Sequence, residues 1–326
     1  MQQVVVERFG GPEVLVPAEA PDPVAGPGEV VVAVRAADVL WVETMIRRGD
    51  GPEWPVTPPY VPGNAVVGHV LSVGDGVDPG WVGRAVAAGT GGTGGYAERA
   101  VVPATALTPV PDGLALEDAA ALLHDGVTAL SLFETARITG DDTVLVVGAS
   151  GGLGILSVQL AKAAGARVVT VARDGRKLAL IRTLGADAVI DSEAPGWAEE
   201  ARAALGGAGA TVVLDNVGGD VGEAAFALAA PGGRFSAHGT PSGRFARIDR
   251  AEADRAGITL TGIREVQLSP EERLRLTERA LAEAAAGRIH PLIGQTYRLA
   301  RAADAHAGIE ARTVFGKTLL LVPPAA

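Results

Sequence analysis

The segment Thr143-Val-Leu-Val-Val-Gly-Ala-Ser-Gly-Gly-Leu-Gly154 carries the clearest chemistry in the chain. An aliphatic run, Val144 to Val147, stops at a cluster of glycines. Leu153, Leu156, Leu160 and Ala163 then recur at helical spacing. Strand, tight turn and helix in this order form a phosphate cradle. Residues without a bulky Cβ let the backbone approach a pyrophosphate, and the new helix turns free N–H groups and its positive dipole end towards the anion. The fingerprint G-x-G-x-x-G reads here Ala149-Ser150-Gly151-Gly152-Leu153-Gly154, with alanine in place of the first glycine.

A second aliphatic stretch, Gly165 to Ala172, follows about 20 residues on, where the ribose-reading residue of a dinucleotide-binding fold belongs. An Asp or Glu there selects an unphosphorylated ribose. This chain has Ala172, then Arg173, Arg176 and Lys177. The carboxylate repulsion is gone, and cations are supplied for a 2′-phosphate. The expected cofactor is therefore NADPH rather than NADH. Asp174 lies in the same turn, and a solvated charge cluster opening a helix is the alternative reading.

The elements that must position these groups fall into two styles. Residues 1 to about 114 read as all-β, with Val4-Val5-Val6 and Val30 to Val34 as strands and dense Pro-Gly and Gly-Asp-Gly punctuation. From 117 to about 260, strands near 143–147, 167–172, 187–190, 211–215, 233–237 and 258–261 alternate with helices. That alternation predicts a parallel, doubly wound sheet. A polar-faced helix from Glu271 to Gly287 and a strand at Lys317 to Val322 follow. A dinucleotide unit flanked by β-rich ends predicts a split domain built from both ends of the chain.

The 326 residues suffice for about two domains. A net charge of −10 disfavours nucleic acid and anionic membrane surfaces as partners. The absence of cysteine excludes disulfides, thiolate zinc sites, Fe–S clusters and a cysteine nucleophile. The opening Met-Gln-Gln-Val-Val-Val-Glu-Arg is too short and too charged for a secretory leader, and no apolar run approaches a membrane span, so a cytoplasmic protein is expected.

Phe9-Gly-Gly-Pro-Glu-Val-Leu15, Pro27 to Arg35, Val61-Pro-Gly63, Gly68 to Gly74, Gly94-Gly-Tyr-Ala-Glu98, Ala119-Ala-Ala121, Gly126-Val-Thr-Ala129, Leu184-Gly-Ala-Asp187, Asp215-Asn-Val-Gly-Gly219 and Gly316-Lys317 join the fingerprint in a specific order. With them, nearly the whole chain resembles the quinone oxidoreductase branch of the medium-chain dehydrogenase/reductase superfamily. The resemblance implies an α/β protein with a Rossmann domain over 117–263. It also implies a β-rich GroES-like catalytic domain formed by residues 1–116 and 264–326. Zinc-containing relatives use a Cys, a His-Glu pair and a four-Cys lobe. Here Leu40 and Asn64-Ala65 stand at the first two, and the lobe is missing. No metal is expected. The implied activity is zinc-free hydride transfer from NADPH to a quinone, an enone or an enoyl thioester. Such a reaction needs hydrogen-bond donors for the oxygen on which negative charge develops, and a solvent proton can complete it.

The resemblance also distributes roles. Cofactor contacts map to Thr128, Ser150, Gly151, Gly152, Leu153, Gly154, Arg173, Lys177, Ser192, Asn216, Val217, His238, Gly239, Thr240 and Lys317. Leu40 stands where relatives carry an Asn, and Glu43 where an Asp follows it. With Trp41 they suggest an apolar acceptor pocket, or simply core residues. His124 and Asp125 complete the pocket candidates, His124 as a possible proton donor or a structural residue. No catalytic residue is assigned. Asp215 serves a cap or the cofactor turn. Arg47 and Arg48 guide an acidic substrate or lie on the surface. Tyr96 and Glu98 read as structural, and His306 as packing or surface. The Tyr that enoyl-thioester relatives carry after Arg-x-Gly is missing from Arg48-Gly49-Asp50-Gly51. A non-redox NADPH-binding or sensing protein, and a repurposed cyclase or isomerase, remain the competing functions. The family default is a homodimer paired through an edge strand of the nucleotide sheet.

Overall fold

The computed structural model describes residues 1–50, 55–265 and 267–323. The chain divides into two compact units, Met1–Val127 with Pro270–Ala326, and Thr128–Ser269. The sequence reading put the divisions at 116/117 and 263/264. The difference at the first arises because the helix that follows residue 115 packs on the strands of the first unit.

In chain order the elements are β1 (Gln2–Val6), β2 (Leu15–Glu19), β3 (Glu29–Val39), α1 (Trp41–Arg48), β4 (Ala65–Val73), β5 (Ala85–Gly89), β6 (Arg99–Pro103), β7 (Leu107–Pro109), α2 (Leu116–Leu122) and α3 (Asp125–Ala136). There follow β8 (Thr143–Val147), α4 (Gly152–Ala163), β9 (Arg167–Ala172), α5 (Gly175–Thr183), β10 (Ala188–Asp191), α6 (Trp197–Ala204), β11 (Ala210–Asp215), α7 (Gly219–Phe226), β12 (Ala229–Ala237), α8 (Arg250–Arg255) and β13 (Thr259–Gly262). The chain continues through α9 (Pro270–Ala285), β14 (Ile293–Arg298), α10 (Ala302–Glu310) and β15 (Lys317–Leu321).

In the Thr128–Ser269 unit, six parallel strands lie in the order β10-β9-β8-β11-β12-β13. Both faces are covered, which is why the strands are continuous aliphatic runs rather than alternating ones. Val144 and Val146 pack with residues of α3, α4 and α5, whereas Leu145 and Val147 pack with residues of α6, α7 and α8. Each such fully buried aliphatic side chain contributes about 1.5–3 kcal/mol. The strand order reverses between β8 and β11, the position where ligands of doubly wound sheets collect at the carboxyl ends.

The other unit holds a seven-stranded sheet. Its order is β14-β15-β3-β4-β5-β7, with β6 also on β3. The long strand β3 has two partners along one side: Glu29–Ala33 pair with β6, and residues 36–39 pair with β15. Its first 114 residues are not all-β, because α1 interrupts them. Helix signals are local there: Glu43 in the first turn, Arg47 and Arg48 in the last, and Gly49 in the left-handed conformation that closes it (φ 87°). No helix among the described residues is long and apolar enough to cross a membrane.

Candidate functional site

The turn after β8 is shaped by two glycines. Gly148 has φ 73°, and its N–H donates to Val171 on β9. A Cβ on Gly154 would lie 2.5 Å from the Gly148 carbonyl oxygen and 2.7 Å from Ala149 Cα, so only glycine lets α4 start against the turn. The first helical hydrogen bond runs from Ile155 N to Gly151 O. The amides of Gly152, Leu153 and Gly154 precede it, so no turn of helix lies before them to supply their acceptors. Ser150 and Gly151 form the rim of the same turn.

The neighbouring strand ends are tied together by side chains. Asn216 Nδ2 donates to Val147 O at 2.8 Å, and Asn216 Oδ1 lies 2.7 Å from His238 Nε2. His238 Nδ1 lies 2.9 Å from Ser236 Oγ. Burial pulls the His238 pKa down to about 4, so the ring is neutral. Because Asn216 Oδ1 only accepts, the ring proton sits on Nε2, and Nδ1 accepts the Ser236 hydroxyl. The backbone of Gly239 rests on Asn216, where a Cβ would come within 1.9 Å of the carbonyl carbon. Asp215 is a cap: one carboxylate oxygen accepts from Val217 N and Gly218 N, both at 2.9 Å. Val217 packs on Gly148. Thr240 continues from Gly239, and Thr128 lies on α3, half-buried.

Arg173 and Lys177 flank the tip of β9, and Ser192 joins them through its N–H to Ala172 O at 2.8 Å. Burial, then the charge of Arg173, lowers the Lys177 pKa, as expected where cations crowd. Arg173 lies 3.9 Å from Glu193, a loose contact that leaves its guanidinium half-exposed. Asp174 is engaged within its own turn. It has φ 73° and caps α5, accepting from Arg176 N at 2.9 Å.

In the other unit, Leu40 opens α1 with its side chain buried, and Trp41 follows, half-buried, its Nε1 enclosed without a partner among the described residues. Glu43 is not on a pocket surface. It is buried, and it accepts from Leu40 N, Asn64 N and the Tyr96 hydroxyl. Lys317 is not free for a cofactor phosphate. Its ammonium is buried 3.0 Å from Asp38 and 3.4 Å from Asp125. Burial opposes its charge, but Asp125 and Asp38 outweigh burial and raise its pKa. His124 lies beside this triad. Burial, then Lys317, lowers its pKa, so it is a neutral ring whose buried Nδ1 has no partner among the described residues. Arg47 is wholly buried rather than on the surface and bonds Gly10 O and Glu310, and Arg48, partly exposed, bonds Asp50 and Glu310. Gly51, after them, lies outside the described residues.

Two family models match this chain: the alcohol dehydrogenase GroES-like domain over residues 26–112 and the zinc-binding dehydrogenase over 152–281. It is similar to a quinone oxidoreductase of Pseudomonas aeruginosa, 32% identical over 324 residues, which are 98% of this chain and 99% of that one. The chain belongs to the quinone oxidoreductase branch of the medium-chain dehydrogenase/reductase superfamily. A Burkholderia 2-haloacrylate reductase is 30% identical over 97% of this chain and 98% of its own length. A mycobacterial structure complexed with NADPH superposes with a TM-score of 0.88 at 32% identity, covering 99% of this chain and 100% of the other.

Within this quinone oxidoreductase branch protein, three features escaped the sequence reading. Gly148, directly after the aliphatic run, makes the turn and lies one position before the six-residue fingerprint. Ser236 orients His238 and carries no motif of its own. Asp38 neutralises Lys317 across 279 positions of chain, too far for any spacing rule.

Proposed function

We propose that the protein is an NADPH-dependent, zinc-independent oxidoreductase that delivers hydride to a quinone or an α,β-unsaturated carbonyl compound. The single observation that carries this reading is the cradle of Gly148 and Gly151–Gly154 combined with the cations at the tip of β9. It fits a dinucleotide diphosphate at one end and a 2′-phosphate at the other.

In this reading the amides of Gly152, Leu153 and Gly154, with Ser150 and Gly151, hold the diphosphate. Arg173, Lys177 and Ser192 hold the phosphorylated ribose. Asn216, Val217, Gly239, Thr240 and Thr128 line the rest of the cofactor, with His238 locked behind Asn216 as a neutral spacer. When bound, NADPH supplies the hydride. Leu40 and Trp41 give the acceptor an apolar wall that excludes water from its ring. His124, held neutral, offers an N–H to the oxygen that gains charge without bringing a cation into the pocket, and solvent completes the protonation. The residue types at Leu40 and Asn64-Ala65 offer neither thiolate nor imidazole to a zinc ion. A cytoplasmic homodimer completes the proposal. Among the described residues the strand β13 pairs with β12 on one side only, which leaves an edge for a second copy.

The test is direct. Purified protein with NADPH and a panel of small quinones, enones and haloacrylates is followed by loss of the reduced-nicotinamide absorbance. Turnover with NADPH well above that with NADH is expected. Tight NADPH binding with no turnover on any acceptor overturns the reading in favour of a non-redox binding protein.

A further inference from the structure

Segments remote in sequence converge on one buried carboxylate in the Met1–Val127, Pro270–Ala326 unit. Glu43 Oε2 accepts the Leu40 N–H at 2.9 Å and the Tyr96 hydroxyl at 2.7 Å, and Oε1 accepts the Asn64 N–H at 3.1 Å. Tyr96, wholly buried, lies 3.0 Å from His306 Nε2, with the two rings edge to face. An ionised carboxylate only accepts, so the single phenolic proton goes to Glu43. The phenolic oxygen then accepts from His306 Nε2–H. That tautomer leaves His306 Nδ1 as a bare lone pair, consistent with its being buried without a partner among the described residues. Burial, then the charge of Arg47, holds the His306 pKa down at about 3, so the ring stays neutral.

Leu40 has no side-chain oxygen with which to cap α1. Glu43, in the third helical position, reaches back to the Leu40 amide and performs half of a capping box. Its other oxygen does the same for Asn64, the residue before β4. The Asn64 segment is pinned from its far side too: Thr90 N donates to Asn64 O, and Gly63 lies so close to Gly95 that a Cβ would come within 2.6 Å of Gly95 Cα. The carboxylate is therefore the joint between a helix start and a strand start.

We propose that Glu43 is a positioning residue for the acceptor: by tying the Leu40–Trp41 turn to the Asn64 segment, it fixes the apolar wall against which a flat acceptor lies. The inference rests on the oxidoreductase reading above and deepens it. Glu43 touches neither acceptor nor cofactor and acts through Leu40 and Trp41.

The groups that bear on Glu43 are Asp38 of β3, Lys317 of β15, Arg47 of α1, Tyr60, Tyr96 and His306 of α10. Burial, then Asp38, raises the Glu43 pKa to about 7, against the opposing effects of the Leu40 amide, Tyr96 and Lys317. The joint is thus fully charged above neutrality and loses its charge as pH falls through about 7.

The experiment compares wild type, Glu43→Gln and the milder Tyr96→Phe by quinone turnover against pH, NADPH titration and deuterium protection of the Leu40 and Asn64 amides. In Glu43→Gln the acceptor KM is expected to rise about tenfold, with kcat and NADPH affinity within about threefold of wild type. The rise of wild-type kcat/KM through pH of about 7 disappears, and protection at both amides falls. Tyr96→Phe gives a smaller change in the same direction. An unchanged KM and unchanged protection in folded Glu43→Gln overturn the proposal. If Glu43→Gln does not fold, Tyr96→Phe and the wild-type pH series decide, and protection of both amides that stays constant from pH of about 6 to about 8 overturns it. Absence of wild-type turnover on every acceptor strikes the acceptor role together with the proposed function. The protection data still report whether Glu43 holds the two segments.

Discussion

The carboxyl edge of the parallel sheet and the interior of the mixed-sheet unit solve the same problem by opposite means. At the sheet edge, order comes from the main chain. Gly148, Gly154 and Gly239 bring backbones into contact, Asp215 caps successive amides, and one neutral His–Asn pair links adjacent strand ends. In the mixed-sheet unit, order comes from charge buried inside it. Lys317 lies between Asp38 and Asp125, and Glu43 between three donors. The first arrangement tolerates changes of pH and fails when a methyl group is added. The second tolerates small changes of shape, responds to pH, and fails when the cation between its buried carboxylates is removed.

Removing the cation is the most severe way to probe this contrast. Lys317→Met leaves Asp38 and Asp125 buried without compensation and is expected to cost about 3–5 kcal/mol in urea unfolding. A loss below about 1 kcal/mol would mean that the triad is not a charge-dependent core at all.

Glu43 gives the next largest effect, with a sign that depends on pH. Its folded pKa of about 7 stands above the ordinary 4.5. Between the two values the folded protein keeps a proton that the unfolded chain has released. Its contribution is full below the ordinary value and is lost as pH rises towards 7. At about 1.4 kcal/mol per pKa unit this reaches about 3 kcal/mol. Glu43→Gln, which does not titrate, should therefore lose stability against wild type near pH of about 5 and regain ground by pH of about 8. A difference independent of pH contradicts the assignment.

On the sheet edge, Gly239→Ala forces a Cβ onto Asn216 and should weaken NADPH binding about 10- to 100-fold, measured by fluorescence titration, with little dependence on pH. Arg173→Ala should weaken NADPH binding about tenfold and leave NADH binding unaltered, because its half-exposed guanidinium is partly screened. Equal losses for both nucleotides would remove Arg173 from the 2′-phosphate. The smallest effect is a null one. His238, with a pKa near 4, should show no ring titration by NMR between pH of about 5.5 and about 8, in contrast to Glu43.

The same contrast explains what was legible in the sequence. The parallel strands were readable because burial on both faces demands unbroken aliphatic runs such as Val144–Val147. The cradle is legible because its glycines are neighbours in the chain; the six-residue fingerprint begins at Ala149 and so leaves out Gly148, whose φ of 73° makes the turn. The helix α1 was missed although Gly49, Arg47 and Arg48 mark its end, since strand-like valines dominate its surroundings. The buried polar core was beyond local reasoning. Tyr96 reads as structural and His306 as packing or surface; neither reading contains the bond between them, made across 210 positions of chain with both side chains buried. Glu43 and Lys317 were given to ligand surfaces because charged residues so rarely lie inside. What they meet is other side chains.

The double partnership of β3 bears on how the molecule is made. Its carboxyl half pairs with β15, whose first residue is Lys317, so that sheet stays incomplete until Lys317–Leu321 has left the ribosome. The Thr128–Ser269 unit is one uninterrupted stretch and has all its strands long before then. Synthesis therefore imposes an order of assembly, nucleotide sheet first, with Asp38 and Asp125 waiting in the nascent chain for the late-arriving lysine that neutralises them.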